Sequence, residues 1–231
     1  MQLPMRTAFM RNLTILLTGC LAVILAGCAA RTSLEPAGRG VWKANAGFGG
    51  PMVYAFDTYV PIPYLAAGAS YGADDRLDVN GTLHLLSLAY GIVGLEPGVT
   101  WYPVLNSGAV PTIGISPRIL MFASIRGDVE ERFRFYPVVS ASGAWRVGDG
   151  LLYTGFDLTL PLSRPDYDDD AATAILSPLL GYRWSIGETM GLYTELKWHG
   201  ANVRTNQLAA EYVHPFGNGA IAPFIAVDWK W

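Results

Sequence analysis

Polar and apolar side chains alternate along much of the chain with a period of two residues. In residues 76–85, RLDVNGTLHL, one face holds Arg76, Asp78, Asn80, Thr82 and His84, and the other holds Leu77, Val79, Gly81, Leu83 and Leu85. Successive side chains of a β-strand point to opposite sides, so this pattern predicts a strand with one polar and one apolar face. The same split recurs in residues 95–102, 132–146, 176–186 and 192–199.

The alternating segments predict eleven strands, near residues 41–49, 63–72, 76–88, 92–104, 111–125, 132–147, 151–162, 174–186, 190–200, 205–213 and 219–231. Tight turns are predicted at residues 72–75, 147–150 and 186–189 from their Gly and Asp content. Single-chain bacterial membrane barrels have an even number of strands, so one assignment needs revision. Either a further strand lies in residues 52–60, which gives twelve, or the first segment lies outside the barrel, which gives ten.

Strand length and tryptophan positions distinguish a membrane barrel from a soluble one. A soluble barrel turns its apolar face inward, and soluble strands are most often about 5–6 residues long. Here many segments reach about 10 residues, the length that a tilted strand needs to cross a bilayer. Tryptophans lie near the ends of the apolar faces, as in an interfacial aromatic girdle, at Trp101, Trp145, Trp184, Trp198 and Trp229. Residues 41–231 are therefore predicted to form an all-β fold: a single antiparallel up-and-down transmembrane-type β-barrel of 10–12 strands, after an N-terminal signal helix.

The last eleven residues, IAPFIAVDWKW, form an amphipathic segment that ends in an aromatic residue. Ile225, Val227, Trp229 and Trp231 share one face of this segment. It resembles the C-terminal assembly signal of bacterial outer-membrane β-barrel proteins. The resemblance implies recognition by the barrel-assembly machinery.

The N-terminus has the layout of a signal peptide. Arg6 and Arg11 precede an apolar run from Leu13 to Leu25. That run is shorter than the roughly 20 residues of a spanning helix. Residues 25–28, LAGC, resemble the lipobox of bacterial lipoproteins, in which the cysteine receives a diacylglycerol and becomes the N-terminus after cleavage. The resemblance implies a signal peptide at residues 1–27, lipidation of Cys28, and a flexible tether at residues 28–40.

Two other processing sites stay open. Residues 17–20, LTGC, fit the same pattern but leave a short apolar core before Cys20, and an ordinary secretory signal could be cut near Ala26 or Ala30. Lipidation of Cys28 would leave the mature chain no free thiol for a disulfide, a metal or a nucleophile. Ala29 follows the cysteine, which by the same resemblance favours the outer membrane over the inner one. The predicted location is the bacterial outer membrane, with lipid anchoring, and the predicted partners are outer-membrane lipid and the lipoprotein-sorting machinery.

Charged residues of both signs fall on the polar faces of the predicted strands. The predicted lumen network comprises Arg76, Asp78, His84, Glu96, Arg134, Arg146, Asp157, Arg183, Glu195, Lys197 and His199, with Arg118, Glu211, Asp228 and Lys230 on the same faces. Mixed signs in a narrow barrel predict ion pairs that fill the interior, whereas a selective pore more often shows an excess of one sign. A site for a small molecule or a lipid head group is the alternative. The net charge of -3 and the lack of a basic aromatic patch exclude nucleic acid.

No motif for catalysis, a metal or a cofactor is found. Small outer-membrane enzymes that modify lipid A use a histidine with a serine near the outer rim. His84 with Ser87, and Glu195 with His199 about 13 Å apart along one strand, do not match their motifs. The acidic run at Asp166, Asp168, Asp169 and Asp170 is expected to be a solvated outer loop, with Ca²⁺ binding as an alternative.

The predicted function is a structural or small-solute role for a lipid-anchored outer-membrane barrel without identifiable catalysis. A lipid-modifying enzyme with its site at the rim is one alternative. A soluble β-barrel carrier held to the membrane by the lipid alone is the other.

Overall fold

The computed structural model describes residue 30 and residues 33–55, 57–126, 133–162, 172–205 and 212–231. Within these ranges the chain forms twelve β-strands and one short helix. The strands are β1 (Trp42–Gly49), β2 (Met52–Ala55), β3 (Thr58–Pro61), β4 (Tyr64–Asp74), β5 (Leu77–His84), β6 (Ile92–Val104), β7 (Thr112–Ser124), β8 (Phe133–Val147), β9 (Gly150–Thr159), β10 (Ile175–Ile186), β11 (Met190–Arg204) and β12 (Asn218–Lys230), and the helix is α1 (Leu85–Ala89).

Ten of these strands close into one antiparallel up-and-down barrel. From β4 to β12 each strand pairs with the next one in the chain, and β1 closes the barrel by pairing with both β4 and β12. Ala46, for example, lies opposite Ala67 on one side and Val227 on the other. Strands β2 and β3 form a separate hairpin outside this ladder. The predicted fold class is confirmed.

The strand count corrects the sequence-based segmentation at two places. The strand β11 continues to Arg204 instead of ending at Gly200, and most of the strand predicted at residues 205–213 lies outside the described residues. Gly200 adopts a φ of 64°, which glycine tolerates without steric cost, and the register with β12 shifts between His199 and Arg204. Neither proposed revision of the count holds, since the first segment belongs to the barrel and residues 52–60 contain the separate hairpin. The predicted strand at 76–88 also ends early, at His84, where α1 begins.

The barrel is inside out relative to a soluble protein. On β6, Leu95, Val99 and Trp101 are exposed on the outer surface, whereas Glu96 and Thr100 are buried in the lumen. The same alternation is found on the other long strands, with Leu180, Leu196 and Ile225 all more than half exposed. A continuous apolar surface of this kind needs hydrocarbon around it. The predicted orientation of the apolar and polar rows is confirmed.

The two ends of the barrel differ. At one end, here called the short-turn end, tight turns lie at 75–76, 148–149 and 187–189, and the C-terminal Trp231 lies at the same end. The first turn falls slightly later than predicted because β4 continues to Asp74. The opposite end, the long-loop end, carries the β2–β3 hairpin and α1. Six tryptophans lie within three residues of the strand ends at the short-turn end, at Trp42, Trp101, Trp145, Trp184, Trp229 and Trp231, which gives this rim an aromatic girdle.

Candidate functional site: the filled lumen

A network of buried charges lies in the middle of the lumen. The Arg118 guanidinium from β7 lies 2.7 Å from a Glu96 oxygen and 3.1 Å from an Asp157 oxygen. The Lys197 ammonium from β11 lies 2.9 Å from the other Asp157 oxygen and 3.5 Å from Glu195. These groups come from β6, β7, β9 and β11, so the network joins opposite sides of the barrel. Buried charges are tolerated only when paired and hydrogen-bonded, and this arrangement pairs them.

Hydroxyl groups complete this network. Ser140 donates to an Asp157 oxygen and accepts from Arg118 at 2.6 Å, and the Tyr153 hydroxyl donates to Glu195 at 3.2 Å. On the other side, the His84 ring contacts Glu96 at 3.5 Å through Nε2 and the Tyr64 hydroxyl through Nδ1. The contacts of Ser140, Tyr153 and Tyr64 are hydrogen bonds, whereas His84 Nε2 and the two Glu96 oxygens are held by ion-pair contacts without a hydrogen-bond partner among the described residues.

A second polar cluster lies nearer the short-turn end. Asp228 accepts hydrogen bonds from Arg183 at 2.9 Å and from the Tyr193 hydroxyl at 2.7 Å. Arg183 also donates to the Tyr193 hydroxyl at 3.0 Å. Asp78 accepts from the Tyr102 hydroxyl at 3.1 Å. This half of the lumen is therefore also built from charge-assisted hydrogen bonds.

An apolar layer occupies the lumen towards the long-loop end. Tyr64, Leu120, Phe122, Tyr136 and Phe224 are buried there in one cluster, which joins strands from opposite sides of the barrel. The His84 and Phe122 rings lie 5.5 Å apart, and the Phe122 and Tyr136 rings lie 6.4 Å apart. Side chains rather than an open channel fill the lumen at this level.

Residues 33–38 occupy the lumen near the short-turn end, and they are called the lumen segment below. Leu34 is 2% exposed and belongs to a buried cluster with Ala144, Tyr153 and Tyr193. Ala30 packs against both this cluster and the apolar layer. Within the predicted tether, Leu34 and Ala37 are therefore buried in the lumen, whereas Arg39 and Gly40 are exposed.

A small polar cavity remains beside the lumen segment. Its volume is about 40 Å³, and Ser33, Asn80, Thr100, Ser116 and Arg118 are among the residues that line it. A water molecule needs roughly 10–15 Å³ on this measure, so the cavity has room for two or three. Its hydroxyl and amide groups offer the partners that such waters require.

The other predicted lumen residues lie outside the central network. Arg76 donates to the Pro103 carbonyl at 3.3 Å at the short-turn rim, and Arg146 pairs with Glu35 at 2.6 Å at the same end. Arg134 is half-buried near the start of β8. The predicted Glu211 and the acidic run at 166–170 lie outside the described residues.

His199 forms a contact that the sequence pattern missed. Its Nδ1 lies 3.3 Å from the Ser177 hydroxyl, and the Gly200 amide donates to that hydroxyl at 3.2 Å. The pairing of Leu179 with Lys197 places Ser177 opposite His199 on the neighbouring strand, so only the register reveals the pair. Ser177 is 2% exposed. The other candidate pair is not formed, because the Ser87 hydroxyl donates to the His84 carbonyl and not to its ring.

Sequence reasoning also missed the partners supplied by the lumen segment and β1. Glu35 and Lys43 both take part in the lumen contacts. Lys43 could have been found from its alternation with Asn45 and Gly47, whereas Glu35 lies in a stretch without periodicity.

Among the described residues, no cluster of His, Cys, Asp and Glu is arranged to hold a metal ion. No helix in the described ranges is long and apolar enough to cross a membrane.

Solved structures to which the chain is similar are barrels of bacterial outer membranes. The NanC porin matches with a TM-score of 0.46 at 11% identity, over 82% of this chain and 100% of that one. The translocator domain of the autotransporter NalP from Neisseria meningitidis matches with a TM-score of 0.44 at 7% identity, over 97% and 98%. The outer-membrane protease OmpT from Escherichia coli matches with a TM-score of 0.40 at 10% identity, over 83% and 94%. No family model and no curated protein matches the chain.

Proposed function

We propose that this chain is a bacterial outer-membrane barrel with a structural role in the envelope, anchored a second time by a lipid on Cys28. The observation that carries the proposal is an apolar outer surface around a lumen filled by paired charges, an apolar layer and the lumen segment. A soluble carrier would bury its apolar rows around a ligand cavity, whereas here these rows face outward and the cavity beside the lumen segment has room for only a few waters. The filled lumen favours a structural role over solute passage.

The proposed partners follow from the surface and the termini. Outer-membrane lipid covers the apolar rows, and the terminal strand β12, with Ile225, Val227 and Trp229 facing outward, presents the pattern expected for barrel assembly. Lipoprotein sorting would act on Cys28, which lies outside the described residues. A barrel and a lipid together give two independent membrane attachments, and each buried CH₂ of the lipid contributes about 0.8 kcal/mol.

The dual anchor is tested by replacing Cys28 with alanine. We expect the wild-type chain to carry acyl mass on Cys28, and the Cys28→Ala chain to lack it and yet stay in the membrane after carbonate and urea washes, with heat-modifiable gel migration. The barrel surface, not the lipid, accounts for this retention. Intact mass spectrometry and immunoblots of washed membranes measure both results.

Cys20→Ala is the matched control for this experiment, because it should keep the acyl mass. Release of the Cys28→Ala chain by the washes would identify a soluble barrel held by its lipid and would contradict an integral membrane barrel. A wild-type chain without acyl mass would contradict the proposed lipid anchor but not the proposed membrane barrel.

A lipid-modifying enzyme is a second candidate, which the Ser177–His199 contact favours. A serine hydroxyl beside an imidazole nitrogen is the arrangement of an activated nucleophile. Against it, Ser177 is enclosed and its oxygen already accepts the Gly200 amide proton. The structural proposal therefore predicts that deletion of the gene leaves the lipid A profile unchanged, as measured by mass spectrometry of extracted lipid A.

The enzyme candidate predicts the opposite result. Deletion would then shift the lipid A profile, wild-type protein would restore it, and Ser177→Ala and His199→Ala variants would not. A Ser87→Ala variant is the matched control, since its hydroxyl bonds to a backbone carbonyl away from this pair.

A further inference from the structure

Phe216 has the most exposed large hydrophobic side chain among the described residues, at 92%. It lies in a tight turn, which the Asn218 amide closes by donating to the Pro215 carbonyl at 3.1 Å. Both central residues have positive φ, 53° at Phe216 and 81° at Gly217, as in a type I′ turn. Glycine, asparagine and aspartate are the usual residues there, because a bulky side chain is strained in this conformation. The turn therefore does not account for a phenylalanine at this position.

The Phe216 ring lies beside Trp198, with 6.3 Å between the ring centroids. Trp198 faces outward from β11, because it alternates with the buried Lys197 and shares its side of the strand with the exposed Leu196. The Trp198 indole donates to the Asn218 carbonyl at 2.9 Å, which holds the indole against the turn. The two rings thus extend the apolar outer face of β11 towards the long-loop rim.

The β2–β3 hairpin adds two tyrosines to this rim. Val53 on β2 pairs with Tyr212, in the segment just before the turn. Tyr212 is 3% exposed, so alternation along β2 places Val53 on the inner face and Tyr54 on the outer face. Tyr59 lies opposite Tyr54 on β3, and their rings pack edge to face at 5.3 Å. The outer face of the hairpin is therefore aromatic, and its two rings are 48% and 62% exposed.

These rings lie at the outer boundary of the apolar band. Trp229 belongs to the girdle at the short-turn end, and Ile221, which pairs with Trp198, lies eight residues before it on β12. Eight residues span about 26 Å along a strand, or roughly 20 Å along the membrane normal at a tilt of about 40°. The apolar band of an outer-membrane barrel is about 25 Å tall, so Trp198 lies just inside its outer edge. The hairpin joins β12 at the same level, because the segment paired with β2 accepts the Ile221 amide proton through the Val213 carbonyl at 2.8 Å.

The hairpin and the turn carry little charge. Asp57 is the only charged residue in residues 52–61, and His214 is the only titratable residue in residues 213–218. Tyrosine and tryptophan side chains favour the membrane interface, because their rings are apolar and their polar atoms reach the head groups. The composition of this region therefore fits a lipid surface at the depth that the strand length gives.

We propose that Tyr54, Tyr59, Trp198 and Phe216 form a lipid-contact surface, called the rim patch, which lies in the outer leaflet beside β11 and β12. Its occupant is a lipid of that leaflet at the boundary between head group and acyl chain, because the patch continues the apolar outer face of the barrel. Contact with lipid offsets the strain of the left-handed conformation at Phe216. This inference rests on the proposed membrane barrel, and it does not depend on lipidation of Cys28.

Spin labels on single cysteines measure the depth of the rim patch. Phe216→Cys and Tyr59→Cys are each introduced into the full chain with Cys20 and Cys28 replaced by alanine, and the labelled chains are folded into dilauroylphosphatidylcholine vesicles. Collision rates are measured with oxygen, which concentrates in lipid, and with a water-soluble nickel chelate. Thr173→Cys, an exposed residue just before β10 at the same end, is the matched control. We expect the oxygen-to-nickel ratio at both patch positions to exceed that of the control at least about fivefold.

A label on Leu180→Cys, in the middle of β10, separates the possible outcomes. A high ratio at Leu180 with a low ratio at either patch position overturns the lipid-contact surface and leaves the membrane barrel standing. A low ratio at Leu180 contradicts the membrane barrel itself, and with it the basis of the rim patch. Heat-modifiable migration of each labelled chain confirms that the barrel is folded.

Replacement of Phe216 by asparagine gives a test of opposite sign. Asparagine is favoured in a type I′ turn, so the local conformation alone predicts a more stable barrel. Loss of an apolar ring from lipid predicts the reverse, and we expect the equilibrium constant for unfolding in the same vesicles to rise by roughly fivefold. Denaturant titration with gel migration as the readout measures this constant. An unchanged or smaller constant in the Phe216→Asn variant overturns the contact of Phe216 with lipid.

Discussion

Substitution of Leu180 by arginine is expected to destabilise the folded barrel by about 2–4 kcal/mol in a lipid bilayer. Leu180 is the sixth of the twelve residues of β10, faces outward and is 55% exposed. Its neighbours across the ladder are Thr154 and Leu196. An arginine at this depth places its charge in hydrocarbon, where neither water nor a partner can solvate it. Reversible denaturant unfolding in phospholipid vesicles measures the change in free energy.

Ile186→Arg is the matched control for this substitution. Ile186 is similarly exposed, at 51%, but it is the last residue of β10 and lies at the short-turn rim. A cation near the interface costs only about 0–1 kcal/mol because it reaches the head groups. Equal small effects at the two positions would mean that water surrounds the apolar rows, and the membrane assignment would be wrong.

The lumen of the barrel is occupied by residues that the structure describes. Its three levels are the apolar layer at the long-loop end, the central charge network and the lumen segment at the short-turn end. The first two come from strand side chains and are fixed by the fold. The third is a separate stretch of chain, which the barrel holds by hydrogen bonds with Asp78 and Lys43 and by the burial of Leu34.

The orientation of the strands was predictable because every inward side chain is followed by an outward one. This alternation assigns Glu96 to the lumen and Leu95 to the lipid without any knowledge of how the strands pair. The structure agrees with both assignments. Strand ends were less predictable, since a single glycine in the left-handed region lets β11 pass Gly200, which reads as a turn in the sequence. Local composition does not distinguish a glycine that bends a strand from one that ends it.

The alternation of polar and apolar residues does not predict which residues distant in sequence contact each other. The pairing of Arg118 with Asp157 spans 39 residues, and the Ser177–His199 contact depends on the register of β10 with β11. The lumen segment is the clearest case, because Leu34 and Glu35 stand in a polar, aperiodic stretch that is typical of a tether. Leu34 is buried by side chains from β8, β9, β10, β11 and β12, which come together only when the barrel closes.

Lys197 is the residue whose loss should most disturb the lumen. The central network holds three acids, Glu96, Asp157 and Glu195, against two bases, Arg118 and Lys197. Lys197→Met keeps much of the side-chain volume but leaves three carboxylates against one cation in a buried site. Removal of one partner from a buried ion pair typically costs about 3–5 kcal/mol, and we expect a loss of that size in vesicle unfolding.

A second substitution identifies the charge as the cause. Lys197→Met combined with Glu195→Gln leaves two acids against one base, which returns the network to its original excess of one negative charge. We expect this double variant to recover a substantial part of the lost stability, whereas two independent packing defects would add. Arg39→Gln, which breaks an exposed pair with Asp74 at the rim, should leave the unfolding midpoint unchanged. Additive losses in the double variant would contradict a network held by its charge balance, and the structural role of the lumen would then rest on packing alone.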